Sequence, residues 1–351
     1  MKIETSSTKI LSAALVALTL TACGGDKAST QRGTTEILNV SYDVSRDFYN
    51  EYNPLFANYY KTKDPNANIV IKQSHGGSSK QALSIVNGLQ ADVATMNQGS
   101  DIEVLAKNNL VKPTWESDLP NHAVPFTSTI VFLVRDGNPK AIKDWDSLAN
   151  QKLELVIANP KSTGNGRYAF LGAYGYGLHT FNKDTAKTDE FAKNLLNNVA
   201  IFESGGRAAT TTFAQRDIGD VLITFENEAH TIVSKFADKK LQIVYPSYSI
   251  SAENPVATVT SVTDKKGTTA IADEYLKYLW SDEAQNLAVK FNLRPSVPAI
   301  MEANKDKFPA MTTFRATDVF GSWDTIMTDY FKDGGIYDKL VAENGAAKSA
   351  K

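Results

Sequence analysis

Three times along the 351-residue chain, a short apolar run ends in a glycine-containing turn that opens a helical pattern. The run 68–73 leads into Ser74-His75-Gly76-Gly77-Ser78-Ser79, after which Ala82, Ile85, Val86 and Leu89 fall at helical spacing. The run 153–158 leads into Asn159-Pro160-Lys161-Ser162-Thr163-Gly164-Asn165-Gly166, and 199–202 into Ser204-Gly205-Gly206-Arg207, with a helix expected from about Ala208. Short strands alternating with helices imply an α/β fold with mixed, mostly parallel sheets, because parallel neighbours must be joined by crossovers. Further strands are expected at 36–41, 92–96, 129–134, 221–225, 243–245 and 256–259, and helices at 44–61, 270–280 and 282–291. The rhythm restarts near residue 153, which argues for two lobes. Crossings at 127–138 and 249–258 put 36–128 plus 255–351 in the first lobe and 129–254 in the second.

The turns carry a chemistry. Glycine lets a backbone come close to a ligand, and the first N–H groups of a helix have no intrahelical acceptor. Each helix start also carries roughly +0.5 of an elementary charge, so three meeting at one point supply about +1.5 without a basic side chain. One Ser/Thr-Gly turn before a helix is ordinary capping; three after strands, in both lobes, point to a cleft that grips an anion. Desolvating even a monovalent ion costs on the order of 20 kcal/mol in the idealised limit. A dianion therefore has to meet donors at every oxygen. A donor-only site suits a fully deprotonated, sulfate-like oxyanion, whereas hydrogen phosphate also wants an acceptor for its proton. The glycine stretches contain no Asp or Glu, although Asp43, Glu203 and Glu226 lie near them in sequence.

Residues 1–22 have the form of a signal peptide: Lys2 and Lys9 flank the start, and 10–20 is uncharged and apolar but too short to cross a bilayer core of about 30 Å. Leu20-Thr21-Ala22-Cys23 then resembles a bacterial lipobox, with Cys23 as the lipid-bearing residue and 23–35 as a flexible tether. Cys23 is the single cysteine of the chain, so an internal disulfide is excluded. These features place the protein in the periplasm or on the outer face of the cytoplasmic membrane, anchored through lipid. A formal charge of −2 gives no reason to expect nucleic acid. The four histidines (His75, His122, His179 and His230) show no metal-ligand spacing, and neither a phosphate-loop GxxxxGK[ST] nor a GxSxG elbow occurs. No cofactor and no catalysis are expected; His75 is read as orienting its loop.

Ser41-Tyr42-Asp43, the stretches 73–80, 127–134, 159–167, 204–213 and 218–229, and Phe320-Gly321-Ser322-Trp323 together resemble the sulfate- and thiosulfate-binding proteins of bacterial ABC importers. The resemblance spans about residues 36–340. It implies a two-lobed class II periplasmic-binding-protein fold that hinges shut over one oxyanion, acts as a monomer and hands its ligand to permease subunits. Carried over by position, it implies ligand contacts from the Asp43 backbone N–H, Ser78, Thr163 with its hydroxyl, Gly164, Asn165 and Gly206. Arg167 and Arg207 are implied to support the turns. Phe225 stands where the sulfate-specific branch has a donating tryptophan, and Asn165 where that branch has glycine. In both, the chain is similar to the thiosulfate branch, and thiosulfate is expected to bind at least as well as sulfate. The remaining alternatives are another tetrahedral oxyanion such as phosphate or molybdate, an anion sensor, or an enzyme acting on a sulfur oxyanion.

Overall fold

The computed structural model describes residues 33–349; the leader, Cys23 and the tether to residue 32 lie outside the described residues. Twelve strands are described: β1 (Thr35–Tyr42), β2 (Ile69–Gly76), β3 (Val93–Thr95), β4 (Phe126–Val134), β5 (Leu155–Ala158), β6 (Val199–Glu203), β7 (Val221–Phe225), β8 (Gln242–Val244), β9 (Tyr248–Glu253), β10 (Val256–Thr258), β11 (Arg294–Pro295) and β12 (Thr312–Arg315). They form a four-stranded sheet in the order β10-β3-β1-β2 and a larger one in the order β12-β9-β4-β7-β5-β6, with β8 and β11 also paired to β4. The first is parallel except for its edge strand β10. The second is parallel across β6, β5 and β7 and antiparallel around β4. The fold is thus α/β with two sheets, as the alternating pattern requires.

Each sheet is covered on both faces, and strand alternation decides which side chain faces which core. In β4, Ile130, Phe132 and Val134 enter one cluster while Val131 and Leu133 enter the cluster across the sheet. In the small sheet, Ile37 joins Phe48, Tyr52, Phe56 and Tyr275 on one face, and Val40 joins Ile85, Ile102 and Leu105 on the other. The helix Arg46–Lys63 carries much of that aromatic face; Tyr52 and Tyr275 meet edge to face with centroids 5.0 Å apart.

Several expected boundaries move. Residue 35, read as tether, already belongs to β1: Thr35 pairs with Ile69, and its N–H donates to the Asn68 carbonyl. The segment 249–258, read as a crossing with a strand expected at 256–259, also holds the unexpected strand β9, which pairs antiparallel with β4 at Thr127–Thr129. Its alternation of polar and apolar residues is too mild to stand out. The largest departure concerns the C-terminal segment, expected in the first lobe. Phe314, Phe320, Trp323, Phe331 and Tyr337 pack in the core of the large sheet, among Tyr168, Phe170 and Tyr174. Apolar contact, not chain order, places this segment: the Phe314 ring lies so near Gly175 that a Cβ there would sit 2.2 Å from it.

Phe314→Ala is therefore expected to destabilise the large-sheet core by about 3 kcal/mol or more. Denaturant unfolding measures it, and an unchanged midpoint would detach β12 from that core.

Candidate functional site

Parallel pairing puts the ends of neighbouring strands side by side. Tyr42 at the end of β1 pairs with Gly76 at the end of β2, and Ala158 of β5 pairs with Glu203 of β6. The turn after each strand therefore emerges at one edge of its sheet, where ligands of open α/β sheets bind. After β2, Gly77 precedes the helix Ser78–Val86; after β5, Thr163 caps the helix Gly164–Thr180; after β6, Gly205 precedes the helix Gly206–Thr210. The third helix starts two residues earlier than the spacing suggested and continues as a π-turn over Thr211–Gln215.

All three turns open onto one cavity of about 260 Å³, which the Asp43 turn and Phe225 also line. The first helical backbone bonds are donated by Gln81 to Gly77, Arg167 to Thr163 and Ala209 to Gly205. The N–H groups before them have no intrahelical acceptor. Those of Ser78, Gly164, Asn165 and Gly206 belong to residues on the cavity wall. Among the described lining residues, the charged ones are Asp43 and Arg207, and they pair with each other: Arg207 Nε lies 3.2 Å from Asp43 Oδ2, and its Nη2 donates to the Asp43 carbonyl at 3.4 Å. The positive character of the wall thus comes mainly from backbone dipoles.

Two glycines are dictated by proximity. A Cβ on Gly166 would come within 2.3 Å of the Ala158 carbonyl, so the helix can begin this close to its strand only without one. A Cβ on Gly164 would lie 2.2 Å from the Asn97 carboxamide oxygen, which comes from the opposite side of the cleft.

The six residues that the resemblance implied as ligand contacts, Asp43, Ser78, Thr163, Gly164, Asn165 and Gly206, line the cavity together with Phe225. The Thr163 hydroxyl differs from expectation. Its oxygen caps the helix by accepting from Gly166 N–H at 3.0 Å, and its one proton goes to the Asn159 carbonyl at 2.8 Å. Asn165 Nδ2 lies 3.4 Å from Thr224 Oγ1. Phe225 is buried, edge-on to Tyr168 at 5.9 Å, and offers an apolar wall.

The two arginines stand behind the turns. Arg167 is buried outside the lining; it donates to Ser79 Oγ at 2.9 Å and to the Lys161 carbonyl at 3.2 Å. Ser79 in turn donates to Asp101 Oδ1 at 2.8 Å, beside a bond from Gln98 at 3.0 Å. Burial pushes the Asp101 carboxyl up, while hydrogen bonds from Ser78 and Gln98 and the charge of Arg167 oppose the shift. His75 holds its loop: its ring nitrogens face the Tyr42 carbonyl at 3.4 Å and the Gln73 carboxamide oxygen, and burial lowers its pKa. Among the described residues no group of His, Cys, Asp and Glu could hold a metal ion, and no helix is long and apolar enough to cross a membrane.

Sequence reasoning misses Asn97. It follows β3 and precedes the helix Gly99–Lys107, a fourth strand-to-helix junction whose Asn97-Gln98-Gly99 sequence is the available signal. It misses Glu228 as well. That residue lines a neighbouring cavity of about 210 Å³ shared by Tyr42, Asp47 and Phe48 with Arg207 and Ile232. Burial raises its pKa to about 7; Arg207 and Lys235 pull it down, and Asp43 and Asp47 push it up.

Residues 39–293 match a family described as bacterial extracellular solute-binding protein. The chain is 49% identical over 337 residues to a thiosulfate-binding protein of Pseudomonas aeruginosa, covering 96% of this chain and 99% of that one. It is 44% identical over 305 residues to a sulfate-binding protein of Salmonella typhimurium, covering 87% and 92%. The solved sulfate-binding protein SubI from Mycobacterium tuberculosis matches with a TM-score of 0.75 at 30% identity, over 85% of this chain and all of that one.

Because its folded pKa is raised, Glu228 contributes its full share of stability below its unfolded value of 4.5 and loses it as pH rises through about 7. Glu228→Gln, neutral throughout, is expected to gain on the order of 2 kcal/mol over the parent at pH 8 and little at pH 5. Thermal melts at the two pH values decide it; an equal difference at both would remove the titration as its cause.

Proposed function

The chain belongs to the bacterial extracellular solute-binding family, and we propose that it captures thiosulfate and sulfate between two lobes for an ABC importer. It is a solute-binding protein rather than an enzyme, as the binding functions named for its relatives indicate. One observation carries the choice of ligand: three helix starts and the Asp43 turn open on a single cavity whose described charged side chains neutralise each other. Such a wall offers N–H donors to every oxygen of a tetrahedral dianion and no free carboxylate to accept a proton. The names of the relatives support the same ligand class.

The contacts come from the N–H groups of Asp43, Ser78, Gly164, Asn165 and Gly206. Ser78 Oγ accepts from the Asn97 N–H at 3.1 Å, so the hydroxyl braces the neighbouring turn and the backbone N–H meets the ligand. Thr163 shapes its turn through its cap. Phe225 supplies no donor, so an apolar ring faces the ligand; the terminal sulfur of thiosulfate, a larger and weaker acceptor, meets that ring at lower cost than an oxygen does. Thiosulfate therefore binds at least as well as sulfate.

Capture works by closure. One lobe consists of about residues 35–125 and 255–310, and the other of 126–254 with the C-terminal segment 312–349. The antiparallel contact of β4 and β9 lies at the crossings and supports a hinge there. Ligand held by one lobe completes its shell with the helix starts of the other, and that differential affinity draws the population to the closed state, which the permease reads. The protein works outside the cytoplasmic membrane, and Cys23 carries the lipid that keeps it there. It acts as a monomer.

Calorimetric titration with sulfate, thiosulfate, phosphate and molybdate is expected to show binding of the first two, with thiosulfate at least equal. Tight sulfate binding with no heat from thiosulfate would overturn the preference. Gly206→Asp, which sets a carboxylate against the anion, is expected to abolish binding and leave unfolding cooperative; unchanged affinity would sink the site. Small-angle scattering should show a smaller radius of gyration with ligand than without.

A further inference from the structure

Asn97 stands apart from the rest of the cavity wall. The residue is 7% exposed, and its carboxamide oxygen is buried with no hydrogen-bond partner among the described residues. Its backbone N–H donates to Ser78 Oγ at 3.1 Å, and the amide abuts Gly164 across the cleft so closely that a Cβ there would lie 2.2 Å from Oδ1. The residue is thus held firmly although its side chain is not satisfied. Buried amides in folded proteins are nearly always satisfied. The oxygen lies against Gly164, and an acceptor-only anion cannot satisfy it; the amide nitrogen, which likewise forms no hydrogen bond among the described residues, is the end left to meet a ligand.

We propose that Asn97 is a further ligand-recognising residue of the cleft: its carboxamide, presented nitrogen first, donates an N–H to the bound dianion and turns no acceptor toward an oxyanion that carries a proton. This rests on reading the cavity as a site of anion capture. A carboxamide can present either end. Beside a dianion the amide nitrogen is the favoured end, and the oxygen then remains against Gly164. The carboxylate already on the lining, Asp43, is committed to Arg46 and Arg207 rather than set aside as an acceptor for a P–OH group. Position 97 is where such an acceptor would fit. An isosteric carboxylate there would repel a fully ionised guest and accept the proton of hydrogen phosphate.

The test is calorimetry of the purified protein, Asn97→Ala and Asn97→Asp with sulfate, thiosulfate and inorganic phosphate at pH 7. Asn97→Ala is expected to weaken sulfate and thiosulfate by about tenfold to a hundredfold, the range for a hydrogen bond to a charged group. Asn97→Asp, which keeps the shape and so the fold, is expected to weaken both further and to narrow the preference over phosphate by about tenfold or more. A change in the anion ratio is what a merely structural role would not produce. If the parent binds sulfate or thiosulfate and both variants keep its affinities and its ratio, Asn97 has no such role. If the parent binds none of the three anions, the capture reading falls first and this inference with it.

Discussion

Parallel strand pairing is the constraint on which the site depends. In a parallel ladder each strand ends at the same edge as its neighbour, so the turn after β1 lies beside the turn after β2, and that after β5 beside that after β6. Each glycine turn starts a helix whose leading N–H groups cannot be satisfied from within. Two sheets with their strand ends facing across a gap thus present unpaired donors to one small volume. Apolar burial on both faces of each sheet holds the arrangement. The wall of the cavity is a by-product of topology, which is why it needs so few charged side chains.

The same edges also bring the two sides into contact with each other. Arg167 reaches from behind the β5 turn to Ser79, and through it to the buried Asp101. Arg207 bonds both the carboxylate and the carbonyl of Asp43. Trp323, on the C-terminal segment, packs so tightly on Gly99 that a Cβ would meet its ring at 2.5 Å, while its own ring lies edge-on to Tyr168. These contacts surround the cavity rather than fill it. The glycines at 99 and 164 make room for these close approaches. Buried, partly paired groups such as Asp101 and Arg167 are weak sources of net stability; their geometric effect is to fix the register of one side against the other.

Phe225 and Glu226 show how one junction serves two purposes. Phe225 closes β7 and lines the cavity, while Glu226, the next residue, is fully buried and holds Arg294 through bonds of 2.6 and 2.8 Å. Arg294 lies in β11, which pairs with the start of β4. A residue facing the cavity is therefore anchored, one step along the chain, to the region where the chain passes between sheets.

Much of this could be read from the residues in order. The strand-turn-helix device at 68–79, 153–166 and 199–207, the glycine positions and the donor-only chemistry come from local propensity and short-range pattern, which a sequence carries explicitly. The reading of Phe225 and Asn165 as departures from the sulfate branch came instead from the family resemblance. The engagement of the Thr163 hydroxyl by Asn159 could not be read, because a cap and a ligand donor have the same local sequence. Nor could Asn97 and Glu228, whose surroundings come from groups distant along the chain. The C-terminal segment is the clearest case: nothing in its own sequence says which core receives Phe314 and Trp323. Local pattern determines which elements form and which backbone groups they leave unpaired. Only the packing of apolar faces decides which of those groups share one cavity, because that choice depends on contacts between residues that the chain itself keeps far apart.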